Sequence, residues 1–450
     1  MATAQETTRI LRRLLASGVK SRAERLLARV HPADLGLILS ELTPEELPTV
    51  IDMLFDQRLA ARTLKELPHE LLPQMFAAIQ DERLAQVLAR LERDDLLDLA
   101  RWIPEERRDA VLAVLPEEKR AELRQAELYR ESSAGRAMTT SFVALDENMT
   151  AQQAIDRLRA LGDLSDAVLY LYVVDEKGTL QGVVPIRRLV SAGPDRPCRE
   201  LMIPNPVSVR ADADQEEVAQ LVARYNLLAV PVTDAEGRML GVITVDDVID
   251  VIHEEATEDM YHLAGLSEDD RVFSPAHRAI RKRLPWMVVN LATAFLAASV
   301  VGLFERTLEE IVVLAVFMPV VAGMGGNAGV QALTVMTRGI ALGEIQFSSA
   351  ARAIGKEVAV GLAVGASVGA LAAGCAFLWK GNPYLGLVLF LAMVANLTVA
   401  GLVGASIPLI LKALRLDPAL GSGVLVTTFT DVSGFFTFLG IGTLLLDRLS

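Results

Sequence analysis

Cysteine and histidine are scarce in this chain of 450 residues. Only two cysteines occur, Cys198 and Cys375, and they lie in different regions of the sequence. Two distant cysteines provide neither a disulfide framework nor the ligand spacing of a zinc site. The five histidines are scattered and do not add a metal-ligand cluster. The composition therefore argues against a disulfide-stapled fold and against a Cys/His metalloprotein.

Sequence motifs of common enzyme classes are missing as well. The chain contains no Gly-rich phosphate loop and no nucleophile elbow. The formal net charge is −13, and no stripe of basic residues occurs, so nothing in the sequence points to a nucleic acid partner. We therefore predict that the protein is not an enzyme and does not bind nucleic acid.

Apolar residues are distributed unevenly along the chain. Residues 1–284 are rich in charge and have the pattern of a soluble protein, whereas residues 285–450 are strongly apolar. The N-terminal stretch MATAQETTRILRRLLASG lacks the apolar core and cleavage site of a signal peptide. This asymmetry predicts a cytoplasmic region followed by a membrane region.

Five membrane spans are predicted in the apolar region. Each has at least the roughly 20 residues that a helix needs to cross the hydrocarbon core. The predicted spans are 285–304, 311–337, 358–379, a fourth within 381–411, and 419–446.

The distribution of basic residues predicts the orientation of these spans. Nine lysines and arginines flank the spans on one side, and three flank them on the other. The positive-inside rule places the nine in the cytoplasm, which puts the soluble region there and the C-terminus outside. The three basic residues on the outer side are Arg306, Lys380 and Arg448.

A single carboxylate lies within the fifth span. Asp431 is the only charged side chain between Asp417 and Asp447. An ionisable group at mid-depth in a bilayer is costly, rarely faces lipid, and usually marks an ion path or a proton relay. Thr427 precedes it by four residues and therefore shares its helical face. We predict that Asp431 faces a water-filled axis that favours cations.

Span two also carries small and polar residues on one face. Gly323, Asn327 and Gln331 recur every four residues. Two interpretations stay open for them. Glycine allows close helix packing in membranes, and amide side chains form hydrogen bonds between helices. The same residues would equally suit the lining of a pore.

Two stretches of the soluble region resemble one another. YVVDEKGTLQGVVPIRRLV (172–190) aligns with PVTDAEGRMLGVITVDDVI (231–249), and 59 residues separate Asp175 from Asp234. Each copy predicts a strand, a turn on an acidic-x-x-Gly tetrad, a second strand and the start of a helix. This duplication resembles a tandem pair of CBS domains, which are regulatory α/β modules that often bind adenine nucleotides or ions.

Residues 1–130 have an almost continuous helical pattern. Short segments such as LPHELLPQMFAAI and LERDDLLDLARWI place apolar residues at helical spacing. Because each segment is too short to bury its apolar face alone, we predict a small superhelical stack of helices.

An acidic segment precedes the first span. Ten carboxylates and no lysine or arginine occur between Asp246 and Asp270. Like charges three or four residues apart destabilise a helix. The segment is then either a solvated linker or a cluster that cations neutralise. Carboxylate oxygens suit hard divalent cations such as Mg²⁺ or Ca²⁺.

The order of these regions resembles a known family. An acidic helical N-domain, two CBS domains, an acidic connecting helix and five spans follow one another. PVVAGMGGNAG lies in span two and TDVSG in span five. In this order the two motifs are similar to those of the MgtE family of magnesium channels. The resemblance implies a superhelical all-α N-domain, tandem α/β CBS domains and a five-helix transmembrane domain.

The resemblance also implies particular site residues and partners. It implies a homodimer in the cell inner membrane, with a pore lined by Gly323, Asn327, Thr427 and Asp431. Intracellular Mg²⁺ would bind the cytosolic domains and close the pore, and ATP would bind the CBS pair through Tyr170 and Arg187. The implied Mg²⁺ ligands are Asp431, Asp94, Asp98, Asp214, Glu216, Ala223 (through its carbonyl), Asp247, Asp250, Glu255, Glu258 and Asp259.

The predicted domains are 1–135 (N-domain), 136–200 and 201–252 (CBS domains), 253–282 (connecting helix) and 283–450 (transmembrane domain). Two other functions stay open at this point. One is a membrane sensor that binds a ligand through its CBS pair without conducting ions, and the mid-span carboxylate speaks against it. The other is an ion-coupled carrier, in which Asp431 would relay protons.

Overall fold

The strongly apolar residues 285–450 lie in the second of two compact units. A computed structural model of the chain divides into Met1–Asp250 and Val251–Ser450. The structure describes residues 4–43, 45–56, 59–67, 69–161, 170–267, 270, 276–345, 348–420 and 422–449. The segment 253–282, predicted as a connecting helix, therefore lies partly outside the described residues.

Short helices make up the first part of unit one. Several of these helices begin directly after a proline and have two acidic residues in their first turn. Pro104 and Pro116 each precede a helix whose first turn begins with two glutamates, which complement the helix dipole. Leu35, Phe76 and Leu96 lie in their common buried core. The helices in the described part are α1 (Ala4–Ala16), α2 (Lys20–Leu27), α3 (Pro32–Glu41), α4 (Leu47–Asp56), α5 (Ala60–Lys65), α6 (Leu72–Ala78), α7 (Asp81–Leu88), α8 (Arg93–Arg101), α9 (Glu105–Val114) and α10 (Glu117–Ala126), with a 3₁₀ turn at His69–Leu71.

Two small mixed sheets with helices follow in unit one. In each sheet a parallel strand pair is followed by an antiparallel partner: β1, β2, β3 and β4 form the first sheet, and β5, β6 and β7 the second. The elements are α11 (Ala134–Ala137), β1 (Ala144–Asp146), α12 (Ala151–Leu161), β2 (Tyr170–Val174), β3 (Leu180–Pro185), α13 (Ile186–Ser191), α14 (Cys198–Leu201), β4 (Ile203–Pro204), β5 (Val209–Arg210), α15 (Gln215–Tyr225), β6 (Ala229–Thr233) and β7 (Met239–Thr244).

The two predicted acidic-x-x-Gly turns have the same geometry. Asp175 Oδ1 accepts hydrogen bonds from the backbone N–H groups of Lys177 and Thr179, at 2.8 and 2.9 Å. Asp234 Oδ1 accepts the equivalent bonds in the second copy. Gly178 and Gly237 have φ values of 80° and 79°, a conformation that glycine adopts without strain. The internal duplication read from the sequence is therefore present in three dimensions.

The segment before each copy pairs with the other copy. Ile203 pairs with Val183 of the first copy, and Thr139 pairs with Val242 of the second. This exchange joins the two sheets into one module, because neither copy completes its own sheet.

One continuous helix, α16 (Val245–Leu263), follows β7 directly. Asp247 Oδ2 accepts hydrogen bonds from both the backbone N–H and the hydroxyl of Thr244, at 3.3 and 2.6 Å. The bond from the Thr244 N–H to the Asp247 side chain is one half of a capping box, and it fixes the start of the helix. The acidic segment is thus helical from this start to Leu263.

Among the described residues of unit two, five long apolar helices make up most of the structure, as predicted. Each is long and apolar enough to cross a membrane. Helix α19 runs without a break through GMGGNAG. The elements are α17 (Ala276–Gly302), α18 (Glu305–Glu310), α19 (Val313–Ala341), α20 (Ala350–Lys380), α21 (Pro383–Ala413), α22 (Ser422–Leu444) and α23 (Leu446–Leu449).

A stripe of glycines brings α20 and α21 into close contact. Gly361, Gly365 and Gly369 recur every four residues on α20 and are buried. A Cβ on Gly361 would collide with the Leu397 carbonyl, and one on Gly365 would lie 3.0 Å from the Val394 Cα. Small residues permit this approach of two backbones in a membrane.

This packing predicts the effect of enlarging Gly361. Gly361→Val should lower the melting temperature of the detergent-purified protein by roughly 5 °C, because overpacking a close contact costs about 1–3 kcal/mol. Gly374→Val is the matched control, since a Cβ at Gly374 meets nothing within 4 Å. Equal melting temperatures for the two variants would contradict the close packing of α20 on α21.

Candidate cation sites

The predicted pore residues of span five lie next to span two. Asp431 is partly buried on α22, one turn after Thr427. The Thr427 hydroxyl donates to the Gly423 carbonyl at 3.0 Å, which satisfies it within its own helix. A Cβ on Gly326 of α19 would lie 3.7 Å from Thr427 Cγ2. The structure therefore brings the two helices together at the level of the predicted pore residues.

The polar face of span two is exposed in the single chain. Gly323, Asn327 and Gln331 are all exposed along α19, whereas Gly325 and Gly329 on the other side are buried. An exposed amide in a membrane helix faces a cavity or a partner more favourably than lipid. In the single chain, this face of α19 is therefore available to line a cavity or to contact a partner.

In unit one, two of the predicted ligands form a carboxylate pair. Asp94 lies in the first turn of α8, and burial, reinforced by the charge of Asp247, raises its pKa to about 8. Burial also raises the pKa of Asp247 to about 6. Asp94 Oδ1 is buried without a hydrogen-bond partner within the described residues. Two carboxylates with raised pKa values and an unpaired oxygen form a suitable place for a divalent cation.

Asp98 lies one turn further along α8 and has a different partner. Its carboxylate lies 2.9 Å from His69 Nε2. The imidazole ring of His69 stacks on Trp102 with their centroids 5.3 Å apart. A cation at Asp98 would therefore compete with, or displace, a histidine that is held in place by an aromatic ring.

The three predicted ligands on α15 are not at one site. Asp214 caps the start of the helix by accepting from the Glu216 N–H at 3.0 Å. Ala223 lies in the last turn, where a helix leaves its carbonyls without intrahelical partners. Nine residues of α-helix separate Asp214 and Ala223 by roughly 13 Å. Asp214 and Glu216 could share an ion, and the Ala223 carbonyl would belong to another.

The carboxylates of α16 extend along the helix. Asp247 and Glu258 are eleven residues apart, which corresponds to roughly 16 Å along the axis. Burial, followed by the charges of Asp417 and Glu255, raises the pKa of Asp259 to about 6. Asp250 is exposed, near the start of the helix. More than one cation would be needed to neutralise this series.

One group of candidate metal ligands in unit two is not predicted from the sequence. Oxygens of Glu258 and Asp417 and a ring nitrogen of His262 lie within 4.8 Å of one another. His262 Nδ1 is 3.7 Å from Glu258 Oε1 and contacts Asp417 Oδ2. The four-residue step along α16 could have indicated His262. Asp417 lies 155 residues further along the chain, and no local pattern connects the two.

The two predicted nucleotide residues lie at one end of the first sheet. Tyr170 begins β2 and pairs with Pro185, two residues before Arg187. Arg187 is exposed on α13. The neighbouring Arg188 instead donates to the Leu201 carbonyl at 3.3 Å. Tyr170 and Arg187 are thus near each other along the β2–β3 hairpin.

Three family profiles match the chain in the order of its domains. Residues 30–132 match the MgtE intracellular N domain, residues 134–195 and 198–254 match the CBS domain, and residues 318–441 match MgtE, divalent cation transporter. The predicted fold class is confirmed by these matches and by the five long apolar helices. The bounds predicted for the individual domains stay a prediction.

Curated relatives match nearly the whole chain. It is 36% identical over 444 residues to the magnesium transporter MgtE of Thermus thermophilus, covering 98% of both chains. It is 30% identical over 420 residues to the magnesium transporter MgtE of Bacillus subtilis, covering 93% of both.

Solved structures match the soluble part. A crystal structure of the soluble part of a magnesium transporter covers 56% of this chain and 99% of its own, at 29% identity and a TM-score of 0.53. The cytosolic domain of the Mg²⁺ channel MgtE in complex with ATP covers 54% of this chain and 98% of its own, at 36% identity and a TM-score of 0.51.

These matches confirm the predicted family and show transport rather than enzymatic catalysis. The protein spans the membrane several times, and its N-terminal domains are cytosolic. The chain belongs to the MgtE family of divalent cation transporters.

Proposed function

We propose that this protein is a Mg²⁺ channel for uptake into the cell, and that cytosolic Mg²⁺ closes it. The observation that carries the proposal is Asp431, the one carboxylate inside span five, set beside the polar helix α19. The identity of 36% to a magnesium transporter over almost the whole chain supports Mg²⁺ as the substrate.

The pore would lie between two copies of the chain. Gly323, Asn327, Thr427 and Asp431 would line it, and the exposed polar face of α19 supports a partner at this position. Two Asp431 carboxylates would then face one axis. Mg²⁺ keeps several of its waters and is usually held through one or two carboxylates, so a hydrated ion between the two matches its chemistry.

The membrane placement follows from the flanking charges. The nine basic residues on one side support an orientation with the C-terminus outside, in the proposed cell inner membrane. This agrees with the cytosolic location of the N-terminal domains.

Gating would depend on carboxylates that repel one another. At physiological ionic strength the Debye length is about 8 Å, so the carboxylates along α16 and at Asp94 act on their near neighbours. Cytosolic Mg²⁺ would relieve this repulsion and favour a compact, closed state. A ligand shifts such an equilibrium only when it binds one state more tightly. The proposed gating ligands are Asp94, Asp98, Asp214, Glu216, Ala223, Asp247, Asp250, Glu255, Glu258 and Asp259.

We add His262 and Asp417 to this set. Together with Glu258 they connect the end of α16 to the turn before span five. A cation held there would fix α16 against the helix that carries Asp431. An imidazole nitrogen also makes this site more favourable for transition metals than the other, all-oxygen sites.

ATP is the proposed nucleotide ligand of the CBS pair, through Tyr170 and Arg187. The similarity to a cytosolic domain solved with ATP supports it. Flux measurements in liposomes, with and without a pH gradient, separate the channel from its alternatives. A sensor would conduct no Mg²⁺, and an ion-coupled carrier would need the gradient.

The first prediction concerns Asp431. Asp431→Ala and Asp431→Asn should both abolish Mg²⁺ uptake into liposomes, because neither side chain supplies the negative charge at the pore. Asp447→Asn, which removes an exposed carboxylate beyond the span, should leave uptake unchanged. Wild-type flux through either Asp431 variant would show that this carboxylate is not the pore site.

The second prediction concerns the gate. Replacing Asp247, Asp250, Glu258 and Asp259 together by alanine should remove the protection that millimolar Mg²⁺ gives α16 against protease, and should blunt inhibition of flux by Mg²⁺. The control replaces four exposed carboxylates of the N-domain, Glu105, Glu106, Asp109 and Glu118, with the same change in charge. If the first variant still closes normally as Mg²⁺ rises, the acidic helix is only a solvated linker.

The third prediction uses the raised pKa of Asp94. The pKa of Asp94 is about 8 in the folded state, and that of a carboxyl group in the unfolded chain is about 4. The folded state therefore binds this proton more tightly, and its stability decreases as the pH rises through that interval. Without divalent cations, hydrogen-exchange protection of α8, corrected for intrinsic rates, should therefore decrease between pH 6 and pH 8.

Two comparisons test the assignment to Asp94. Asp94→Asn should remove the pH dependence, and so should saturating Mg²⁺. The control Asp34→Asn alters an exposed carboxylate on α3 and should leave the dependence in place. An unchanged pH dependence in Asp94→Asn would assign it to another group.

A further inference from the structure

Asn396 is a fully buried polar side chain at the meeting point of three membrane helices. It lies on α21 and has no exposed surface. Its Nδ2 donates to the Val321 carbonyl of α19 at 3.0 Å. Its Oδ1 accepts from the Ser433 hydroxyl of α22 at 3.2 Å. One carboxamide therefore joins span two to span five through span four.

Glycines on both partner helices make room for this carboxamide. A Cβ on Gly325 of α19 would collide with Asn396 Nδ2. A Cβ on Gly434 of α22 would lie 2.6 Å from the same atom. Each of α19 and α22 thus has a glycine next to the Asn396 side chain. The absence of a side chain at these two positions leaves the space that the carboxamide occupies.

The carboxamide lies beside the proposed pore face and not on it. Gly325 comes two residues before Asn327, and residues two apart point to nearly opposite sides of an α-helix, so Asn396 contacts α19 on the side away from Asn327. On α22 it contacts Ser433 and Gly434, which come two and three residues after Asp431, so it lies at the side of that helix. Both contacts are within roughly 3 to 5 Å in depth of the proposed pore residues.

Stability alone does not account for this arrangement. A hydrogen bond between membrane helices adds little to the stability of the folded state on average. A single buried asparagine in a helix interface fixes register instead, at some cost in stability. A leucine of similar size would fill the space without setting the depth or rotation of either partner helix.

We propose that Asn396 is a positioning residue for cation selectivity. Its carboxamide sets the depth and rotation of α22 against α19, and so determines where Asp431 lies relative to Asn327. The inference rests on the proposed pore. It extends that proposal by assigning selectivity to a residue that contacts no ion.

The main test compares Asn396→Leu and Asn396→Ala with wild type in liposomes. Asn396→Leu keeps the size, Asn396→Ala leaves the space empty, and both lose the two hydrogen bonds. We expect the ratio of Mg²⁺ to Ca²⁺ flux to fall by roughly tenfold in both, since a displacement near 1 Å of a functional group can cost up to about 100-fold. Asn290→Leu, an exposed asparagine on α17, is the matched control and should keep the wild-type ratio.

A second measurement does not depend on transport. In a chain lacking Cys198 and Cys375, cysteines at Gly326 and Thr427 should form a disulfide readily, because these positions adjoin each other on α19 and α22. Asn396→Leu should slow this cross-linking several-fold, whereas Asn290→Leu should not. The cross-link reports helix position even if the protein conducts no Mg²⁺.

A pair of smaller substitutions covers the case in which Asn396→Leu does not fold. Gly434→Ala should impair selectivity, because its methyl group collides with Asn396. Adding Asn396→Ala should remove that additional defect, so that the double variant matches Asn396→Ala alone. Gly374→Ala, at a site with nothing within 4 Å, should have no effect.

The outcomes separate this inference from the pore proposal. An unchanged flux ratio together with an unchanged cross-linking rate in Asn396→Leu overturns the positioning role, as does additivity of the Gly434 and Asn396 substitutions. If Asp431→Ala conducts normally while the cross-link still depends on Asn396, the pore assignment fails and the positioning of α22 by Asn396 stands.

Discussion

The partial burial of neighbouring carboxylates is the constraint on which the proposed function of this protein depends. Burial raises the pKa of both Asp94 and Asp247. The charge of Asp247 adds to the effect on Asp94, and the charges of Asp246 and Asp95 add to the effect on Asp247. Burial and the charge of Asp417 likewise raise the pKa of Asp259. A protein that folded only for stability would avoid such pairs, because each one weakens the folded state at neutral pH. They become favourable when a divalent cation is present to bridge them.

The membrane helices pack under a different constraint. In lipid, no hydrophobic force favours contact between two apolar helices, so close approach of their backbones has to be stabilised in another way. Glycines on α20 allow α21 to approach, and glycines on α19 and α22 admit the Asn396 carboxamide. Contacts between small residues in membranes depend on packing and on interhelical hydrogen bonds. The Gly-rich run of span two is therefore a packing surface on its buried side, while its exposed side carries Asn327. The close packing in this run is made by Gly325 and Gly329, whereas Gly323, Asn327 and Gln331 lie on the exposed face, and their lining of a pore stays a prediction.

Local patterns allowed much of the fold to be predicted. Hydropathy gave the five spans, because the bilayer sets their length, and the acidic-x-x-Gly turns gave the duplicated module, because glycine alone adopts their geometry easily. Contacts between distant segments could not be predicted in this way. Asp417 approaches His262 across 155 residues, and Asn396 reads in sequence as one polar residue in an apolar helix. The resemblance implied Asp214, Glu216 and Ala223 as ligands without dividing them into sites, and the length of α15 separates Ala223 from the other two.

Helix α16 carries most of the acidic segment, and its C-terminal end contacts a membrane helix. It follows β7 without an intervening loop, and its first turn is fixed by the bonds between Thr244 and Asp247. Its last residue lies against span five, since a Cβ on Gly423 would be 2.7 Å from the Leu263 carbonyl. Gly423 comes eight residues before Asp431, so the C-terminal end of α16 contacts the same helix that carries the carboxylate proposed to conduct cations.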